Sequence, residues 1–196
     1  DNCSVALVVN NKTGTNNASG VYNLGTTTVV YTVTDGSGNT ASCSFNVTVT
    51  DTQAPVITCP APVTTNTLSG SCAALVTIPL ATATDNCSVV SITNNQTGLP
   101  SASGIYNLGV TTVIYTATDG SGNTGTCSFT VTVNDTQAPA ITCPSSISLP
   151  ANPGSCNRVV TWTVPTATDN CSITSVNSSL PSGSTFSVGS TTVTYT

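Results

Sequence analysis

The sequence predicts an all-β protein built from disulfide-bearing sandwich repeats, and three observations carry that prediction. Val, Thr, Ile and Tyr dominate, punctuated by Gly, Asn, Asp and Pro, which is strand and turn chemistry. Apolar residues alternate with Thr and Ser at a period of two, as in Cys127, Phe129, Val131 and Val133 against Ser128, Thr130 and Thr132, the mark of a half-buried strand. Whole strings also recur at a fixed interval. DNCS begins at Asp1, Asp85 and Asp169, 84 residues apart each time; DTQAP recurs from Asp51 and Asp135, and TDGSGNT from Thr34 and Thr118.

Aligned on each other, 1–52 and 85–136 share 36 of 52 positions. One full unit runs over 53–136. Residues 1–52 form the back part of a preceding unit and 137–196 the front part of a following one. The third copy is four residues shorter within 173–190, so that stretch is a loop or edge that tolerates deletion. The end pieces share a whole DNCS-to-YT segment, which speaks against a clean strand exchange between chains. The expected arrangement is a window on a longer tandem array.

Within the full unit, Pro55–Cys59 and Val63–Thr67 read as a first strand broken by Pro60 and Pro62, suited to an edge. Cys72–Leu80 follows with Val76, Ile78 and Leu80 inward, matched in the next copy by Val160, Trp162 and Val164. Val89–Thr93 is the third strand and Ser103–Asn107 a short one. Thr111–Thr118 turns Val113, Tyr115 and Ala117 inward, and Thr126–Val133 closes the unit. About seven short strands with regular turn signals fit an immunoglobulin-like sandwich.

Composition excludes several functions. The chain has two basic side chains, Lys12 and Arg158, seven acidic ones, all Asp, and no His. A net charge of −5 with two scattered cations gives no nucleic-acid footprint. Without His, and with no Ser–His, Cys–His or paired Glu, no catalytic constellation forms. No apolar run reaches the ~18 residues of a membrane span. The chain opens on Asp1 without a secretory signal, as a mature product or fragment would.

The motifs PxITCP (Pro55–Pro60), SC (Ser71–Cys72), TATDNCS (Thr82–Ser88), GxTTVxYTATDGSGNTxxCSFxVxV (Gly109–Val133) and DTQAP resemble the hyalin repeat, or HYR, module over the whole chain. The resemblance implies an immunoglobulin-like sandwich in extracellular tandem arrays associated with adhesion, with no catalytic residues to transfer. The Asn- and Thr-rich, His-less version is also similar to long surface arrays of Bacteroidetes-type bacteria.

Nine cysteines occur, four per full unit. Zinc is the competing reading, but no CxxC or His accompanies them. Disulfides are expected, and with them a location outside the reducing cytoplasm. The first piece keeps only Cys3 and Cys43, so these pair, and Cys87 pairs likewise with Cys127. Cys59–Cys72 and Cys143–Cys156 are then the remaining bonds, and Cys171 has no partner. On the loop-entropy model the shorter bridge contributes about 3 and the longer about 4 kcal/mol.

The aspartates fall at three recurring places: TDN (Asp1, Asp85, Asp169), TDG (Asp35, Asp119) and DTQ (Asp51, Asp135). In a sandwich of alternating strands the ends of the second and sixth strands share a pole, and the preceding joint arrives there. Asp51, Asp85 and Asp119 therefore converge at a joint, and Asp135 and Asp169 form two-thirds of the next. Such a set takes up protons or binds a hard cation. Ca²⁺ suits it, with Asn86, Gln53 and Asn123 as helpers. The alternative is that TDN and TDG aspartates supply turn hydrogen bonds alone.

Tyr22, Tyr106, Phe186, Tyr31, Tyr115, Tyr195, Phe45, Phe129 and Trp162 all fall at core positions, which leaves no aromatic platform for sugars. Asn-x-Ser/Thr occurs at Asn2, Asn11, Asn17, Asn46, Asn86, Asn95, Asn134, Asn170 and Asn177; Asn11, Asn17, Asn46, Asn95, Asn134 and Asn177 are the candidate acceptors for a glycan coat. The expected function is a structural, non-catalytic segment of an extracellular fibre or adhesin stalk. Its partners would be neighbouring repeats or like chains. The alternative is a module that binds surface glycans, matrix or proteins, or serves as a spacer for an enzyme.

Overall fold

In the computed structural model of the chain, residues 4–196 are described, and every regular element among them is a strand. Asp1, Asn2 and Cys3 lie outside the described residues. The first repeat supplies β1 (Val5–Asn10), β2 (Gly25–Asp35) and β3 (Thr40–Val49). The middle repeat supplies β4 (Val56–Thr58), β5 (Val63–Asn66), β6 (Ala73–Val76), β7 (Thr82–Thr84), β8 (Val89–Asn94), β9 (Gly104–Asn107), β10 (Gly109–Asp119) and β11 (Thr124–Asn134). The third supplies β12 (Ala140–Ile141), β13 (Asn157–Val160), β14 (Ala167–Thr168) and β15 (Ser184–Ser187). The backbone divides into two compact units: Asp1–Thr58 with Thr82–Ile92 and Thr116–Cys127, and Cys59–Ala81 with Thr93–Tyr115 and Ser128–Thr196.

In the first unit β1, β2 and β3 form one antiparallel sheet. The TDGSGNT turn joins β2 to β3. Asp35 Oδ1 accepts the N–H groups of Ser37 and Asn39, both at 2.8 Å, and Gly38 takes φ +86°, a conformation that favours glycine. The polar face is laced across the strands by Thr26 and Thr48 hydroxyls 3.1 Å apart and by Thr28 Oγ1 donating to Asn46 Oδ1 at 2.9 Å. On the other face Val29 is fully buried and Tyr31 stacks on Phe45 at 6.4 Å. Phe45, expected in the core, is 49% exposed. β4 pairs antiparallel with β7, a strand beyond those expected from the sequence.

In the second unit β5 runs parallel to β11, Val63 opposite Val131 and Asn66 opposite Asn134, while β6 pairs antiparallel with β9. The larger sheet has the order β5-β11-β10-β8. Its inner residues Val113, Tyr115, Phe129, Val131 and Val133 are buried, as are Ala74, Val76 and Tyr106 from β6 and β9. Two sheets, each with buried apolar side chains, and a first strand parallel to the last make an immunoglobulin-like sandwich. The period-two pattern placed these residues correctly on β10 and β11.

Two inward assignments fail. Leu80 is 62% exposed and Val164 is 55% exposed. Proline breaks the alternation: β6 ends at Val76, and Pro79 has no N–H to continue a ladder. Ile78 stays buried because Ser103 replaces a strand partner, its Oγ accepting Ile78 N–H at 2.9 Å and donating to Ile78 C=O at 3.2 Å. Ser182 does the same for Trp162. Trp162 Nε1 in turn donates to the Tyr195 hydroxyl. In the middle repeat Ile78 stands in its place, and the buried Tyr115 hydroxyl has no partner.

Candidate functional site

The first joint lies in the first unit. Asp51 follows β3, Asp85 follows β7 and Asp119 ends β10. One carboxylate oxygen from each lies within 4.8 Å of the other two, so the structure brings the three expected residues together. Each carboxylate also serves a turn. Asp51 Oδ1 accepts Gln53 N–H at 3.1 Å, Asp85 Oδ1 accepts Cys87 N–H at 2.9 Å, and Asp119 Oδ1 accepts the N–H groups of Ser121 at 2.9 Å and Asn123 at 2.8 Å. Both readings of the aspartates therefore have a structural counterpart. Turn bonds engage Oδ1, whereas Oδ2 of Asp51 and of Asp85 is buried with no partner.

The helpers act as donors. Asn86 Nδ2 reaches Asp51 Oδ1 at 3.4 Å. Asn123 Nδ2 donates to Asp119 Oδ2 at 2.8 Å and to Asp51 C=O at 3.2 Å. Burial pushes the Asp119 carboxyl up, but the Asn123 side chain and the N–H groups of Asn123, Ser121 and Gly122 outweigh it, and the net pKa is lowered. Cys87 shows the field of the cluster. Its thiol is raised first by burial, then by its hydrogen bond to Asp51 and the charges of Asp51, Asp85 and Asp119.

The second joint lies in the second unit. Asp135, Asp169 and Cys171 bring their ligand atoms within 4.8 Å of one another. Asp169 Oδ1 accepts Cys171 N–H at 2.8 Å, and its Oδ2 is buried without a partner. Contacts then cross from the middle repeat to the third. Asn170 Nδ2 donates to Thr67 Oγ1 at 3.0 Å and Ser71 C=O at 3.1 Å, and Thr67 Oγ1, within the middle repeat, donates to Asp135 Oδ1 at 3.4 Å.

A covalent bond crosses the same joint. Cys72 is bonded to Cys171, S–S 2.05 Å, Cα–Cα 4.7 Å, 99 residues apart. This corrects the expected pairing. Cys72 does not bond Cys59, and Cys171 is not partnerless. Cys87 is free, so it does not bond Cys127; Cys143 and Cys156 are both free, and so is Cys43. Cys59 and Cys127 are each disulfide-bonded, and Cys3 lies outside the described residues. The expected scheme confined every bond to one repeat, whereas the loop carrying Cys72 abuts the DNC turn of the next repeat. Because Cys171 is oxidised, its sulfur offers no thiolate to a cation.

The candidate glycan acceptors separate by what their side chains do. Asn11 and Asn95 clamp the neighbouring strand: Asn11 Nδ2 donates to Thr28 C=O and its Oδ1 accepts Val30 N–H, and Asn95 does the same with Thr112 and Ile114. All six are exposed, Asn17, Asn46, Asn134 and Asn177 without such a clamp on a neighbouring strand's backbone. The sequence reading missed Asn10 and Asn94, which are buried. Each organises a tight loop; Asn94 Oδ1 accepts the N–H groups of Gln96 and Thr97, and its Nδ2 donates to Thr97 Oγ1 and Leu99 C=O. The repeated NNxTG string at 10–14 and 94–98 was the available signal.

A cleft of about 790 Å³ is lined by residues of the third repeat including Trp162, Phe186 and Tyr195, and none of its lining residues is an aspartate. No helix of the described residues is long and apolar enough to cross a membrane.

The HYR domain profile matches residues 3–49, 50–133 and 134–196. The chain belongs to the HYR domain family. It is 34% identical to hyalin of Lytechinus variegatus over 200 residues, covering 100% of this chain and 37% of that protein. It is 41% identical to hyalin of Strongylocentrotus purpuratus over 179 residues, 87% of this chain and 15% of that one. A Rattus norvegicus sushi, von Willebrand factor type A, EGF and pentraxin domain-containing protein is 32% identical over 58% of the chain and 3% of its own length. The chain thus spans well under half the length of these relatives. They are animal proteins and lend no support to the bacterial resemblance. Among solved structures, protocadherin gamma B2 extracellular cadherin domains 1–5 superimpose with a TM-score of 0.39 at 19% identity, over 87% of this chain and 37% of that one.

Proposed function

We propose that the chain is a non-catalytic structural segment of an extracellular adhesive or fibre-forming array, stiffened at the joints between repeats by disulfides and by Ca²⁺. The observation that carries the reading is the concentration of chemistry at the joints. Cys72–Cys171 and the Asn170 hydrogen bonds to Thr67 and Ser71 tie one repeat to the next. Six of the seven aspartates are TDN or TDG turn or DTQ joint residues among the described ones. Disulfides and kinship with hyalin support a place outside the cell. The partners are adjoining repeats and like chains, and the exposed Asn17, Asn46, Asn134 and Asn177 are the positions for a glycan coat.

The cation is assigned to Asp51, Asp85 and Asp119. Three clustered carboxylates, two of which carry a buried oxygen without a donor, fit a hard cation that prefers oxygen ligands. Asp135 and Asp169 offer the same start of a site at the second joint. The test is calorimetric titration of CaCl₂ into the chelator-treated chain, with the melting temperature followed in parallel. Ca²⁺ should bind and raise the melting temperature, and Asp85→Asn should remove both effects at the first joint. A flat titration with an unchanged melting temperature rejects the metal and leaves the disulfide and hydrogen bonds to hold the joint.

A further inference from the structure

Cys72 and Cys171 belong to consecutive repeats, and the same two positions recur as Cys156 and Cys87 with their settings intact. The turn that presents Cys72 is closed by Leu68 N–H to Ala73 C=O at 2.8 Å and Ser71 N–H to Leu68 C=O at 3.1 Å, and Cys72 C=O accepts Leu108 N–H at 3.2 Å. Before Cys156 the same three bonds recur: Asn152 to Asn157 at 3.2 Å, Ser155 to Asn152 at 3.0 Å, and Val188 to Cys156 at 3.0 Å. On the receiving side, Cys171 N–H donates to Asp169 Oδ1 at 2.8 Å with Asn170 Nδ2 3.7 Å from its sulfur. At Cys87 the matching distances are 2.9 Å to Asp85 and 3.4 Å from Asn86. Cys87 and Cys156 are both exposed free thiols.

We infer that the second cysteine of each HYR repeat bonds the third cysteine of the repeat that follows it, so that Cys156 and Cys87 are the donor and receiving ends of a disulfide ladder that crosses every joint. The bond forms by two thiol–disulfide exchanges with a small-molecule disulfide oxidant. One protein thiolate attacks the oxidant and expels its first thiol. The partner thiolate then attacks the mixed disulfide and expels the second. The cysteine pair gives up two protons and two electrons, and the oxidant leaves as two thiols. Each joint then has two covalent paths, the backbone and the bridge, so a single backbone cut between Asn134 and Ala138 does not part the repeats.

This inference rests on the array reading of the chain but not on the cation, and the test separates them. A second copy of residues 53–136 is inserted after Thr136, and the lengthened chain is oxidised with glutathione disulfide, alkylated and cut with Asp-N without reduction. The expected result is a new species that joins peptide 51–84 to peptide 85–118, absent from the parent chain, with no increase in alkylated cysteines. A rise in the number of alkylated cysteines, or bonding of an 85–118 peptide to a 119–134 peptide, overturns the ladder. In the same lengthened chain, Cys72→Ser at the original position should expose one additional thiol, and an unchanged count also overturns it. Retention of the parent's far-ultraviolet circular dichroism per residue shows that the inserted repeat has folded as a further module. Its loss contradicts the array reading on which the ladder stands, whereas a flat calcium titration touches only the cation.

Discussion

Replacing Cys72 and Cys171 together by serine removes the covalent crossing of the second joint while keeping both side chains polar and similar in size. The bond closes a loop of 99 residues, for which the chain-entropy relation gives about 4.7 kcal/mol at 25 °C. The bond originally expected for Cys72, to Cys59, would close a far shorter loop, and the same relation gives about 3 kcal/mol. The larger loop also spans two repeats, so its removal should separate their unfolding. The sole tryptophan, Trp162, lies in the third repeat against Phe186, 6.0 Å away, and reports on that repeat alone. Urea unfolding of the oxidised, alkylated chain should show coincident transitions by Trp162 fluorescence and far-ultraviolet circular dichroism. With an m-value of about 1–3 kcal/mol/M, the double variant should lose about 1.6 M or more from its fluorescence midpoint, and the two transitions should come apart. Coincident transitions and a midpoint within a few tenths of a molar of the parent would refute the claim that this bond couples the repeats.

Other outcomes follow from single residues. Tyr115→Phe removes a buried hydroxyl that has no partner, and should stabilise the chain by up to about 1–3 kcal/mol; a lower melting temperature would show that the hydroxyl is satisfied in solution. Gly125→Ala would put a Cβ 1.9 Å from Pro55 C=O, so Pro55 must shift, at a cost of about 1–3 kcal/mol; an unchanged melting temperature would show the crossing to be loose. The Asp35 pKa is held down by the Asn39 side chain and the Asn39 N–H against slight burial, with help from Ser37 and Gly38. This bonding therefore stabilises the fold above the unfolded-state pKa and is lost as the pH falls through the folded one. Asn39→Ala should bring the Asp35 carboxyl titration, read by NMR, back toward the usual aspartate range, and an unmoved titration would remove the cause assigned here.

Periodicity made β10 and β11 legible, because Val113, Tyr115 and Ala117, and Phe129, Val131 and Val133, alternate without a proline or a glycine kink. The rule lapsed at Leu80, one residue past Pro79, where the backbone leaves the ladder and side-chain direction no longer follows position. The acidic joint was legible because strand direction alone dictates which turns share an end, and Asp51, Asp85 and Asp119 sit at such turns. The cysteine partners were not. Spacing along the chain favours nearby pairs, whereas the partner of Cys72 is set by the contact of its loop with Asn170 in the next repeat. Asn94 was not legible because a buried amide that satisfies four backbone and hydroxyl groups has no period to betray it.

Non-reducing peptide mapping of the native chain bears most directly on the claim that the joints, rather than the individual repeats, carry the cross-links. Asp-N cleaves before each aspartate and so places Cys72 on peptide 51–84 and Cys171 on peptide 169–196. The account predicts a disulfide-linked species that contains both peptides and separates them on reduction. Recovery of 169–196 as a free alkylated peptide, with 51–84 closed by an internal bond, would contradict it.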